Sequence, residues 1–216
     1  MKNKVWLVHG FNVSDPKKSI GKLKPVLHEA GFENVEMFDY GWVGPLRVQA
    51  RNRKVVSELL KVVTPHDVLV GHSNGCWISL QVCELQNNTP KNLLFINPAL
   101  YPHHAFPEHI KSAFVLHSRG DLAVKAGKWW RRSANTMPWN WGSNRGHMWG
   151  EMGRVGYLGK SKKVKNIELP HGFGHSGVFG DDNWMLKVCT ELKEKMIANK
   201  TAILSKNVES NDKDQD

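Results

Sequence analysis

Cysteine is scarce in this sequence. Only Cys76, Cys83 and Cys189 occur among 216 residues, and an odd count at irregular spacing argues against a disulfide framework and for a reducing, cytoplasmic compartment. Long apolar runs are missing too. Nothing approaches the roughly 20 residues of a membrane-spanning helix, and Val5 to Val8 is too short a run for the apolar core of a signal peptide. Acidic residues are in deficit, with 20 Asp+Glu against 30 Lys+Arg, so the net charge is +10 before histidine is counted. The 40% hydrophobic and 23% charged residues are an ordinary globular composition, which excludes a wholly disordered or collagen-like chain. The length suits one domain able to bury its own core without covalent staples.

Short apolar runs alternate with amphipathic stretches as far as about residue 198. The runs at 5–8, 34–40, 67–70, 92–100, 112–118 and 164–170 read as six strands. Between them, 17–30, 46–63 and 74–86 read as helices, the first closed by Gly31 and the second stopped by Pro65. The second carries Val48, Val55, Leu59 and Val62 at helical spacing. A last helix over 182–198 aligns Met185, Cys189, Leu192 and Met196 on one stripe. Alternation of this kind predicts a parallel sheet covered on both faces, a three-layer α/β/α sandwich. Only YPHHAFPEHIK separates strands four and five, which is short for a crossover helix. The expected domain is residues 1–200, with 201–216 a polar, flexible tail.

Between strand three and its helix stands Gly71-His72-Ser73-Asn74-Gly75, a G-x-S-x-G pattern. Alone the pattern is weak. Its strand-turn-helix setting makes it specific, because a serine at such a sharp turn is lifted above the sheet while small flanking residues admit the neighbouring strand and helix. The competing reading is a plain serine N-cap between turn glycines. A serine nucleophile also needs a base to take its proton and an acid to orient that base.

Here the chain resembles the α/β-hydrolase family, whose members carry Ser, then Asp or Glu, then His, each at the C-terminal end of a later strand. Ser118-Arg119-Gly120-Asp121, with Val124 beyond, looks like the family's acid loop, and His171-Gly172-Phe173-Gly174-His175 looks like its histidine loop. The resemblance implies a catalytic set of Ser73, Asp121 and His175. His171 is the rival base, disfavoured because it sits nearer the strand. Asp39 is the rival acid at the same edge of the sheet, disfavoured by chain order. His9-Gly10-Phe11-Asn12 resembles the family's oxyanion loop, which implies that the N–H groups of Phe11 and Asn74 form the hole. The resemblance further implies a mainly parallel six-stranded sheet in the order 2-1-3-4-5-6. The full family pattern has two strands before the His-Gly strand, so a minimal α/β-hydrolase fold is expected. Neither cofactor nor metal is implied. His171 and His175 have a zinc-like spacing, but the glycines between them oppose the helix that such a site needs.

Residues 122–163 form a Trp-rich basic insert between the acid loop and strand six. It holds Trp129, Trp130, Trp139, Trp141 and Trp149, candidates to line a substrate pocket or to build a satellite core. Residues 125–165 carry ten basic residues against Glu151 alone, nine of the chain's ten net positive charges. The expected function is hydrolysis of an ester, thioester or similar acyl bond in a small-molecule substrate, with negative charge on that substrate suiting the insert. An acyltransferase would use the same residues. A non-catalytic protein binding nucleic acid through its arginines and tryptophans is the rival from another class, and no nucleic-acid motif accompanies it.

Overall fold

The computed structural model describes residues 3–11, 13–42, 48–85, 92–126, 150–170 and 172–213; for 48–50 and 199–213 it describes the backbone only. Among the described residues six strands form one sheet: β1 (Lys4–Val8), β2 (Asn34–Phe38), β3 (Val68–His72), β4 (Asn92–Ile96), β5 (Ser112–His117) and β6 (Val164–Glu168). Their order is β2-β1-β3-β4-β5-β6, as expected from sequence, and every neighbouring pair is parallel. Strands β3, β4 and β5 are buried throughout, which is why they read as unbroken apolar runs rather than alternating ones.

Helices cover both faces. On one, α2 (Val48–Leu60) and α3 (Asn74–Leu85) pack Val55, Leu59, Ile78 and Leu80 against Leu69, Leu93 and Phe95. On the other, α1 (Leu23–Glu29) and the last helix pack Leu23, Leu27, Met185 and Leu192 against Leu7, Val70 and Phe114. The connection from β4 to β5 contains no helix, as its length predicted.

Three boundaries differ from the sequence reading. The stretch beginning at 17 first makes two 3-10 turns, Pro16–Lys18 and Ile20–Lys22, and becomes α-helical only at Leu23. Pro25 explains the delay: lacking an N–H, it is accommodated in the first turn of a helix and not further in. At the end of α2 the chain tightens into i to i+3 bonds from Lys61 and Val62, so Val62 is exposed, and Val56 takes a buried place beside Val55. The final helix, α5 (Asp182–Lys213), runs well beyond 198 into the stretch expected to be a flexible tail, since no glycine or proline interrupts it. Its stripe of Met185, Cys189 and Leu192 is fully buried.

None of the three cysteines is in a disulfide, and all are buried. Burial pushes the Cys189 thiol up to about 12 and Cys76 well above its ordinary value, so neither is an exposed thiolate. Among the described residues, no helix is long and apolar enough to cross a membrane, and no cluster of three His, Cys, Asp or Glu side chains could hold a metal ion.

Candidate active site

Ser73 occupies the turn between β3 and α3 with φ at +54°, a left-handed conformation that a non-glycine residue adopts at a cost. Its surroundings enforce that turn. The Ser73 N–H donates to the Ile96 carbonyl at 3.0 Å, and the Ser73 carbonyl accepts from Ala99 and Cys76, each at 3.2 Å. A Cβ on Gly75 would lie 2.1 Å from the Val8 carbonyl oxygen, and one on Gly71 would lie 2.8 Å from the Cys76 backbone. Both flanking positions therefore require glycine for close backbone approach, the property that separates this turn from an ordinary N-cap.

Asp121 and His175 meet. The Nδ1 of His175 lies 2.8 Å from the Asp121 Oδ2, with Asp121 fully buried and the His175 side chain 23% exposed. The other Asp121 oxygen, Oδ1, accepts the Val124 N–H at 3.1 Å and so caps the helical turn over 122–126. Ser118 locks the two loops together by donating its hydroxyl to the Phe173 carbonyl while accepting from the Gly120 N–H at 3.3 Å. The rival Asp39 is engaged elsewhere: its Oδ1 accepts from Gly41 at 2.9 Å and lies 3.5 Å from the His9 Nε2. The rival base His171 lies outside the described residues, as do Trp129, Trp130, Trp139, Trp141 and Trp149.

Two residues that sequence reasoning passed over hold the histidine loop. His72, inside the motif itself, donates its Nε2–H to the His175 carbonyl at 3.0 Å. Asn97, just after β4, donates its side-chain amide to the His175 carbonyl at 2.7 Å and reaches the Gly174 carbonyl at 3.3 Å. Asn97 is fully buried and has φ at +45°, so a residue tolerant of left-handed backbone stands where that donor is needed. Burial, reinforced by the neighbouring His175, lowers the His72 pKa to about 3, keeping the ring neutral.

On the β1 side, Phe11 is half-buried against the core and Asn74 is the first residue of α3, where backbone N–H groups lack partners within the helix. Gly10 passes so close to the elbow that a Cβ there would sit 3.1 Å from the Ser73 Cβ. The Asn74 side chain forms a reciprocal amide pair with the fully buried Asn52, at 2.9 and 3.0 Å. His9 is fully buried, with Nδ1 2.8 Å from the Gly10 carbonyl, and desolvation lowers its pKa.

The described end of the insert is stitched to the top of the sheet. Met152 donates to Leu100 at 2.9 Å, Gly153 donates to Pro98 at 2.8 Å, and Gly153 accepts from Ser118 at 2.8 Å. Its short helix α4 (Met152–Val155) helps to line a cavity of about 430 Å³ formed by His117, Arg119, Arg154, Val155 and Glu168. Both arginines there have acidic neighbours, Arg119 to Glu168 at 2.8 Å and Arg154 to Glu151 at 3.8 Å.

Sheet order, elbow and loop positions together define the α/β-hydrolase fold. Solved structures agree. The chain is similar to mouse alpha/beta hydrolase domain-containing protein 10 at 16% identity, covering 91% of this chain and 92% of that one with a TM-score of 0.57. It is similar to carboxyl esterase 2 of the fungus Tuber melanosporum at 14% identity, over 91% of this chain and 79% of that one, TM-score 0.56. A fungal esterase of Rhizomucor miehei aligns at 11% identity, over 90% of this chain and 74% of that one, TM-score 0.55. No protein-family model matches the sequence, and no curated protein matches it.

Proposed function

We propose that this protein is a serine hydrolase that cleaves an ester, thioester or similar acyl bond through an acyl-enzyme intermediate. The observation that carries the reading is the 2.8 Å contact between the His175 Nδ1 and the buried Asp121 carboxylate, on loops beside a serine held at positive φ. The esterases and hydrolases sharing the fold are consistent with it.

In this reading Asp121 accepts the Nδ1–H of His175 and fixes its tautomer, leaving Nε2 as the base. Ser73 Oγ attacks the acyl carbon as its proton passes to His175. The oxyanion that forms is held by the N–H groups of Phe11 and Asn74. Collapse expels the alcohol or thiol with the proton from His175, and water attacks the acyl-enzyme by the same route in reverse. The excess of basic residues over 125–165 favours a substrate that carries negative charge.

The direct test is labelling with a fluorophosphonate, which requires an activated serine. The expected adduct is on Ser73, absent in Ser73→Ala, with hydrolysis of short nitrophenyl esters lost in parallel by several orders of magnitude. A folded wild-type protein that neither labels nor hydrolyses any such ester overturns the reading.

A further inference from the structure

Tyr40 follows β2 and is buried, with no part in the reaction just described. Its ring stacks on His9 at 3.7 Å between centroids, and its hydroxyl faces two consecutive carbonyls, 2.7 Å from that of His9 and 3.1 Å from that of Gly10. One phenol thus touches the chain segment that supplies the proposed oxyanion donor Phe11, at the two residues before it.

The peptide plane gives this contact its consequence. In a trans peptide the C=O of one residue and the N–H of the next point in opposite directions. The Gly10 carbonyl is held on the Tyr40 side by the hydroxyl and by the His9 Nδ1 at 2.8 Å. The Phe11 N–H, in the same plane, is therefore turned the other way. Rotation of that peptide would set a carbonyl where the reaction needs a donor, and glycine at position 10 gives the backbone little intrinsic resistance to such rotation. Fixing it takes an outside partner.

We propose that Tyr40 is a positioning residue for the oxyanion hole, its hydroxyl holding the Gly10–Phe11 peptide in the donor orientation. The role rests on the serine hydrolase reading above. The hydroxyl suits the task because burial raises its pKa, so it stays protonated wherever a histidine base is active. Arg51 steadies the same residue from behind, donating to the Tyr40 carbonyl at 2.9 Å.

Tyr40→Phe removes one oxygen and keeps the ring on His9. With a nitrophenyl ester as substrate, kcat should fall by roughly tenfold to a hundredfold while KM stays within about threefold, since the lost interaction exists only when the oxyanion forms. Affinity for a boronic acid, which mimics the tetrahedral state, should fall in step with kcat. A purely structural tyrosine would lower the thermal midpoint and leave kcat of the folded fraction within about twofold; that result overturns the proposal. Should Tyr40→Phe fail to fold, difluorotyrosine at position 40 keeps the shape but ionises at lower pH, and a phenolate cannot donate to Gly10. Its kcat should then decline on the alkaline side before that of the wild type, and matching alkaline profiles refute the assignment. Fluorophosphonate labelling of the wild type separates the two claims: labelling with unchanged kcat in Tyr40→Phe sinks this one alone, whereas no labelling removes the hydrolase reading and this proposal with it.

Discussion

His72 grips the backbone of His175: its Nε2–H donates to the His175 carbonyl at 3.0 Å, so the residue beside the proposed nucleophile holds the loop that carries the proposed base. The bond also fixes the His72 tautomer. With the proton on Nε2, the buried Nδ1 is left bare and without a partner.

Acid should therefore weaken the fold through this ring. The pKa of His72 is about 3 when folded against 6.5 for the free side chain, so between those values the unfolded chain binds the extra proton. The contribution is complete above pH 6.5 and is lost as pH falls toward 3, at up to about 1.4 kcal/mol per pH unit for one proton. His9 and His117, both lowered mainly by burial, act in the same direction. Thermal midpoints measured from pH 7 to pH 4 should drop steeply in the wild type and less steeply in His72→Asn; equal slopes would remove His72 as a cause.

Asn97 offers a separation of backbone from side chain. Its φ of +45° is easy for glycine, so Asn97→Gly should keep the turn while losing the two bonds to the histidine loop. Esterase activity is expected to fall about tenfold with little change in stability. In Asn97→Ala the same loss of activity should come with a further destabilisation of about 1–2 kcal/mol from the left-handed backbone. Urea melts beside initial rates distinguish the two effects, and undiminished activity in Asn97→Gly would show that the loop holds itself.

The elbow glycines can be tested against one another. Gly75→Ala drives a methyl group to 2.1 Å from the Val8 carbonyl, whereas Gly174 has nothing within 4 Å and stands on a backbone open to other residues. Denaturant unfolding should show a loss of at least about 3 kcal/mol, or no folded protein, for Gly75→Ala and less than about 1 kcal/mol for Gly174→Ala. Similar melts for the two would contradict the close approach of α3 to β1.

A negatively charged substrate should betray itself through salt. If the basic tract draws it in, kcat/KM for a carboxylate-bearing ester will fall severalfold between 20 mM and roughly 500 mM salt, while a neutral ester of the same size holds steady. Parallel curves for the two esters would assign the charge another purpose.

Much of this architecture could be read in advance, for reasons particular residues make plain. Strand and helix alternation from Val5 to Met196 carried the layer order because parallel strands, buried on both faces, cannot hide their apolar runs. The pairing of Asp121 with His175 was legible only through the resemblance of their two loops to those of the α/β-hydrolase family. What was not legible depends on contacts between distant segments. Nothing local marks His72 as a donor to residue 175, Asn97 as a second donor to it, or Tyr40 as a clamp on Gly10, because each acts on backbone brought near only by the finished sheet. Asn52 escaped for the same reason, its partner Asn74 lying one strand and one turn away. The late start of α1 was within reach, since Pro25 announces it.

Among the described residues the sheet closes on neither side: β2 pairs only with β1 and β6 only with β5, so β2 and β6 are the sheet's edge strands. β6 is flanked by Lys162 and Lys163 and carries Lys165 within it, and Lys165 is tied down to Glu191 on α5. Lysine in and beside an edge strand makes that strand a poor template for pairing with a second copy.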